Sequence, residues 1–347
     1  MRILYLSCHE SLEAGELRLL MDLGHYVYSV GSFVDDRNKG DRHIRPAVDG
    51  LEYQQEDREA WFQVTNRLQP GQDGKDFLTK EFVDRFDVVI VMHIPRWIIN
   101  NWEVIKHKPV IWRTIGQSIA AREDELRPYR TQGLKIVRYS PREERIPGFI
   151  GQDAMIRFYV DTEEFKGWTG EELNVITFGQ SMHKRGQACN FPFFHDVTSP
   201  FHRKLFGTET EEIKPYGQGK VPFEQLKLEM RRNRVYFYTG THPASYTLNF
   251  LESCASGIPM VCIGPEHGNG KYFGPGHDLY EIPDLLENGV SGFISDSKTE
   301  LRQYISDLMY DKELARRIGS AGREVAIRVF GKEPIKEQWR NYLATLQ

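Results

Sequence analysis

Apolar positions along this chain fall into short runs rich in valine, isoleucine and aromatics, separated by longer stretches where leucines recur every three or four residues. Residues 2–7 (RILYLS), 26–30 (YVYSV), 87–92 (DVVIVM), 109–113 (PVIWR) and 135–139 (KIVRY) read as strands. Continuous apolar runs of that length suit strands covered on both faces. Between the first two, Leu12, Leu17, Leu19, Leu20 and Leu23 share one face of a helix over 11–23, and Gly24 ends it. A second series begins near residue 173: NVITFG (174–179), KLFG (204–207), VYFY (235–238), PMVCIG (259–264) and GFIS (292–295). Strand–helix–strand alternation predicts parallel sheets with helices on both faces. Two such series predict an α/β protein of two doubly wound, Rossmann-like domains facing across a cleft.

The first domain is expected over 1–165 and the second over 166–330, with DTEEFKGWTGEE (161–172) as the linker. Ser297 and Glu300 have the spacing of a capping box, followed by Leu301, Tyr304, Ile305, Leu308 and Met309 at helical intervals. Another helix is expected near 311–329. A final one over 331–347, carrying Trp339, Tyr342, Leu343 and Leu346, is expected to pack back on the first domain. The polar stretch 35–76 is the least specified part of the N-terminal half.

Composition agrees with two cores. The chain has 347 residues, 40% apolar and 12% aromatic, with 27% charged, which excludes a generally disordered polymer. A formal charge of -4 leaves no electrostatic footprint for nucleic acid, although a local patch can hide in a balanced total. The N-terminus enters a strand without a signal-peptide pattern, and no apolar run reaches the roughly 20 residues of a membrane span. A cytoplasmic protein with no transmembrane segment is expected. Cys8, Cys189, Cys254 and Cys262 are scattered in apolar contexts and read as buried, reduced thiols. The eleven histidines have no paired metal spacing, so no metal site is expected.

Candidate chemistry concentrates in two segments. In TGTHPASYTLNFLESCASGIPMVCIG (239–264) a strand ends at Tyr238, a loop crosses Thr241 to Ser245, and a helix begins around Tyr246–Leu248. Free N–H groups and the positive end of a helix dipole at a parallel-sheet edge suit a diphosphate, with Ser245 and Thr247 adding hydroxyls. Glu252 on that helix is either an acceptor for two ribose hydroxyls or a solvated helix-face glutamate. In NVITFGQSMHKRGQ (174–187), Gly179 permits close approach of a ligand to the backbone. Lys184 and Arg185 then follow, either as phosphate-binding cations or as ordinary surface charges.

The first segment resembles the signature of retaining glycosyltransferase family 4, in which Glu, seven residues and a second Glu precede a small-residue run ending Gly-x-Pro. Glu252 and SCASGIP match its second half, and Ala244 stands where the family has its first glutamate, which is expected to contact the donor sugar or its leaving group. Residues 179–185 are similar to the family's Gly-Arg…Lys-Gly loop, with Gln180 at the arginine position. YVDTEEFKG (159–167), KPYGQGKVPFEQL (214–226) and YEIPDLLENGVSGFISD (280–296) extend the resemblance over the C-terminal 190 residues. Over the first 150 residues it reaches only the order of strands.

The resemblance implies a GT-B fold and a metal-independent, retaining hexosyltransferase that uses a nucleoside-diphosphate sugar, with UDP-sugar the expected donor and no cofactor. It implies Lys184, Arg185 and Glu252 as catalytic residues, and Gly179, Gln180, Tyr216, Ser245, Tyr246, Thr247, Leu248 and Glu252 as the donor-binding set. For the acceptor side it points to the end of the 109–113 strand, where Gly116 replaces the family's histidine and Arg113, Thr114, Gln117 and Ser118 are candidates to take over its role with hydrogen bonds. His9 and His93 lie at strand ends expected to face the same cleft. The arginines Arg138, Arg142, Arg145 and Arg157 either bind an anionic acceptor or pair with Glu143 and Glu144. The acceptor is a glycan, a small molecule or modified DNA.

Other chemistries lack their motifs. There is no Gly-x-x-x-x-Gly-Lys-Ser/Thr loop, no Gly-x-Gly-x-x-Gly after the first strand, no Gly-x-Ser-x-Gly elbow and no Asp-x-Asp pair. Three rivals stay open on the same fold: a sugar-nucleotide epimerase, a phage-type transferase acting on hydroxymethylpyrimidine in DNA, and a non-catalytic nucleotide-sugar-binding protein.

Overall fold

A computed structural model describes residues 1–33, 48–116, 118–271, 273 and 278–346. The chain divides into two compact units, one of Met1–Tyr159 with Ile335–Gln347 and the other of Val160–Pro334.

In the first unit β1 (Arg2–Leu6), β2 (Tyr26–Val30), β3 (Val88–Met92), β4 (Val110–Arg113), β5 (Lys135–Arg138) and β6 (Ala154–Met155) form one sheet in the order β2-β1-β3-β4-β5-β6. Every pairing is parallel. All five residues of β3 are buried, as a strand covered on both faces requires. Helix Glu10–Asp22 turns Leu17, Leu19 and Leu20 inward, and Gly24, at φ +79°, lets the chain reverse into β2. One face of the sheet packs on an aromatic-rich core that includes Tyr28, Phe82, Phe86, Trp97, Trp102 and Trp112.

A buried ion pair crosses this unit. Arg113 donates from Nε to Glu16 at 2.7 Å, and its other nitrogens donate to the carbonyls of Ile156, Arg157 and Arg138. Helix Lys332–Ala344 buries Ile335, Trp339, Tyr342 and Leu343, and the Trp339 ring lies 5.7 Å from the Arg113 guanidinium.

In the second unit β7 (Glu172–Phe178), β8 (Arg203–Phe206), β9 (Gly217–Gly219), β10 (Asn233–Tyr238), β11 (Met260–Ile263) and β12 (Phe293–Ser295) run in the order β12-β11-β10-β7-β8-β9, again all parallel. Helices Lys298–Tyr310 and Lys312–Phe330 follow the last strand. The second packs so closely that a Cβ on Gly319 would lie 2.0 Å from the Gly257 carbonyl.

Both doubly wound sheets expected from the patterning are therefore present, and β6 and β9 are additions. Three local readings change. Residues 161–172 pack within the second unit: Phe165 is buried in helix Thr162–Phe165, and the Trp168 indole donates to the Asn233 carbonyl. Cys8 is exposed, whereas the other three cysteines are buried and free. The Ser297–Glu300 box is half formed. Ser297 Oγ accepts from the Glu300 N–H, but the Glu300 carboxylate turns to the Ser295 hydroxyl at 2.5 Å. No described helix is long and apolar enough to cross a membrane.

Candidate functional site

Strand order locates a crevice within the second unit. From β7 the chain moves outward to β8 and β9, then returns to lay β10 on the other side of β7. The loops leaving β7 and β10 consequently diverge over the carboxyl ends of the two strands, the usual ligand position in an open parallel sheet. Three side chains tie these strand ends together. Thr177 Oγ1 donates to the Phe237 carbonyl at 2.7 Å, the Phe178 N–H donates to Tyr236 Oη at 3.2 Å, and Asn249 Nδ2 donates to the Phe178 carbonyl at 2.7 Å.

The loop leaving β10 runs into helix Leu248–Ser256. Its N-cap, Thr247, is extended (φ -122°, ψ 165°), but its hydroxyl makes no capping bond and instead donates to Tyr238 Oη at 3.2 Å. The first turn of the helix thus keeps its positive end without a side-chain cap. Gly257, at φ +83°, closes the other end.

Glu252 lies in the middle of the helix and is buried, and its charge adds to the burial that pushes the Tyr236 phenol up. Ser245 is buried and its carbonyl accepts from the Glu281 N–H at 3.0 Å. Tyr246 is buried edge-on against Phe330. Leu248 opens the helix, and Ala244 sits in the loop before it.

The loop leaving β7 is clamped to the one leaving β8. Gly179 donates to the Phe206 carbonyl and Ser181 to the Thr208 carbonyl, at 2.8 and 2.9 Å. Gly207 has φ +138°, and a Cβ there would lie 2.3 Å from the Gly179 oxygen, so only glycine allows this approach. Gln180 turns its side chain onto Thr208. Lys184 lies 2.7 Å from Glu209 and 3.2 Å from Glu212, and these hydrogen bonds hold its ammonium above the usual lysine range. Arg185 is exposed and makes no ion pair among the described residues. Gly179, Gln180, Thr247, Leu248 and Glu252 thus gather around one strand pair. Tyr216 does not join them. It is buried beside β8, with Arg203 stacked on its ring at 3.9 Å and its hydroxyl 2.8 Å from His195 Nδ1.

The first unit has its own switch point, between β1 and β3. His9 caps helix Glu10–Asp22, its ring accepting from the Leu12 N–H. His93, next after β3, adopts φ +61°, donates its N–H to the Arg113 carbonyl and accepts from the Trp112 indole at 2.9 Å. Its Nδ1 is sealed without a partner, and burial, helped by Arg122, lowers its pKa to about 4. Arg113 faces inward, its donors engaged as described above. Gln117 lies outside the described residues. Among the nearby arginines, Arg138 forms a buried bidentate pair with Glu123, while Glu143 receives the hydroxyls of Thr114 and Ser118.

Sequence reading passed over Asn249, Thr208 and the two glutamates facing Lys184, because each acts through a residue 25 or more positions away. It also passed over Asp296, whose carboxylate accepts from the Glu266 and His267 N–H groups and lies 2.8 Å from His267 Nδ1. Among the described residues no three His, Cys, Asp or Glu side chains form a metal-binding group.

No protein-family model matches the chain, and no curated protein does. Solved structures do. A sucrose-phosphate synthase from Thermosynechococcus elongatus is similar over 100% of this chain and 99% of its own, with TM-score 0.67 and 13% identity. HepE from Anabaena, solved in complex with UDP-glucose, is similar over 99% and 100%, with TM-score 0.66 and 14% identity. A glycosyltransferase from Rickettsia africae is similar over 100% and 98%, with TM-score 0.67 and 14% identity. Likeness at these identities establishes the fold, which is GT-B.

Proposed function

We propose that this chain is a retaining hexosyltransferase, resembling glycosyltransferase family 4, that uses a nucleoside-diphosphate sugar. UDP-sugar is the donor we favour, because HepE, of the same fold, was solved with UDP-glucose. The observation that carries the reading is the helix Leu248–Ser256, which lacks a side-chain cap and is tied by Asn249 to the last residue of β7, where the glycine loop begins at the β7–β10 switch point. Such a helix end offers N–H groups and a positive dipole to a diphosphate.

In this reading the diphosphate lies between the helix N-terminus and the Gly179–Arg185 loop, and the Glu252 carboxylate accepts from the ribose hydroxyls. The acceptor oxygen attacks C1 as the C1–O bond to the diphosphate breaks. The electron pair leaves with the phosphate, which takes up the acceptor's proton. Fixed N–H donors and Arg185 stabilise the growing negative charge, so no protein base and no metal is assigned a step. The first unit supplies the acceptor side, with His9 and His93 at its strand edge.

A thermal-shift panel of nucleoside diphosphates and their sugars, followed by hydrolysis and transfer assays on the stabilising donor, tests this. Failure of every nucleotide to stabilise the protein would reject it. Ala244 gives one alternative a specific footing, since no carboxylate stands there. Donor binding with neither hydrolysis nor transfer would favour a non-catalytic nucleotide-sugar-binding protein.

A further inference from the structure

We propose that Thr208 is a positioning residue that presents the Gln180 carboxamide as a fixed, neutral donor to the diphosphate, leaving Arg185 as the loop's cation without an ion-pair partner among the described residues. This rests on the nucleotide-sugar reading above.

The orientation of Gln180 follows from hydrogen-bond chemistry. Its Oε1 lies 2.7 Å from the Thr208 backbone nitrogen and 2.6 Å from the Thr208 hydroxyl. A backbone N–H can only donate, so the amide branch facing it has to be the oxygen. The –NH2 branch therefore points away from Thr208. Gln180 is exposed at the carboxyl end of β7, which leaves both N–H bonds available to a ligand. The backbone beneath is clamped by the Gly179–Phe206 and Ser181–Thr208 bonds, and Gly207 has no room for a side chain. A donor fixed in this way has lost most of its freedom before the ligand arrives, so binding costs less ordering.

The charges of the same loop make the amide matter. Lys184 is held between Glu209 and Glu212, with the His183 ring also 3.4 Å from Glu212, so drawing Lys184 to a phosphate would leave two carboxylates facing the anion without its ammonium. Arg185 has no such partner among the described residues. A loop built this way recognises a diphosphate through directed N–H groups and one guanidinium, and Lys184 serves to neutralise the 209–212 turn.

The test is calorimetric titration of the full chain with UDP, using melting temperature as a fold control for each variant. Gln180→Glu keeps an acceptor toward Thr208 but replaces the –NH2 with a second carboxylate oxygen, and is expected to weaken UDP binding by about tenfold or more. Thr208→Val keeps shape and backbone N–H while deleting the hydroxyl, and is expected to weaken it about threefold. That loss should vanish in a Gln180→Ala background, as a positioning role requires and a general folding role does not. Lys184→Ala should change the affinity less than about twofold. Wild-type affinity in Gln180→Glu, or an equal Thr208→Val effect with and without Gln180, overturns the proposal while leaving the nucleotide-sugar reading intact. If the wild-type chain binds neither UDP nor any other nucleoside diphosphate, both fall together.

Discussion

Asn249 donates its side-chain N–H to the Phe178 carbonyl at 2.7 Å, joining the first turn of helix Leu248–Ser256 to the last residue of β7. This bond, between residues 71 positions apart in the chain, sets the spacing between the helix N-terminus and the Gly179 loop. It also satisfies a carbonyl at the point where the β7 ladder ends.

Asn249→Ala removes the donor and leaves the Phe178 carbonyl short of a partner, at an expected cost of about 1–2 kcal/mol in urea unfolding. UDP affinity should fall with it, because both halves of the proposed phosphate site lose their common tie. Asn249→Asp should be worse, since a carboxylate cannot donate and repels the carbonyl. A neutral result for both variants would show that packing alone sets the spacing.

Gly207→Ala tests the clamp from the other side. The added Cβ would meet the Gly179 oxygen at 2.3 Å, and φ +138° is itself unfavourable for alanine. We expect at least roughly 2 kcal/mol of destabilisation and loss of UDP binding. Gly133→Ala is the control: its φ of +106° is also left-handed, but nothing stands within 4 Å of its Cβ. If the two variants lose equal stability, the close approach to Gly179 contributes nothing beyond backbone strain.

The strands were legible because β3, β11 and residues 235–238 of β10 are continuous apolar runs, and burial on both faces leaves that pattern directly in the residues. β9 was not, because Gly-Gln-Gly carries no apolar period and is a strand only through its pairing with β8. The helix start near residue 247 and Glu252 were visible for local reasons, as a turn before an apolar helix and a lone charge inside it. What stayed hidden is pairing at a distance. Lys184 reads as an open cation until the fold brings Glu209 and Glu212 beside it, and Arg113 reads as an edge residue until Glu16 and three carbonyls enclose it.

That enclosure makes the Arg113–Glu16 pair a stability element. Glu16 also accepts from the Tyr5 hydroxyl, and the pair is almost wholly buried. Glu16→Ala leaves a buried guanidinium without its counter-ion and is expected to cost about 3–5 kcal/mol. Replacing both partners with apolar residues, as in Glu16→Leu with Arg113→Met, should cost less than the single change. Equal or greater loss in the double variant would mean that the bonds from Arg113 to the Ile156 and Arg157 carbonyls, rather than the ion pair, hold this region.

His93 gives the first unit a pH signature of known sign. Its folded pKa is lowered to about 4 by burial and by Arg122, against a usual value of about 6.5 for histidine. Between those values the unfolded chain binds a proton that the folded one refuses, so stability falls as pH drops from about 6.5 to 4. The full loss for this group is on the order of 3 kcal/mol. His93→Asn suits the left-handed backbone and removes the titration. Urea unfolding across that window should show a shallower pH slope for the variant than for the wild type. Parallel slopes would mean that His93 titrates alike in both states.

Glu252 separates ribose recognition from general helix stability. It is buried on helix Leu248–Ser256, four residues after the first helical position, in the unit where the proposed diphosphate site lies. If its carboxylate accepts from both ribose hydroxyls, UDP should bind more tightly than 2′-deoxy-UDP. Glu252→Gln keeps the volume but loses the charge, and hydrogen bonds to a charged acceptor contribute about 1.5–3 kcal/mol, or roughly ten- to hundredfold in affinity. The variant should therefore bind UDP that much more weakly and no longer distinguish it from the deoxy form. Melting temperature in the absence of nucleotide identifies any part of the change due to the helix itself. A variant that binds both nucleotides more weakly but keeps the wild-type ratio between them would remove Glu252 from the ribose and return it to a role in packing.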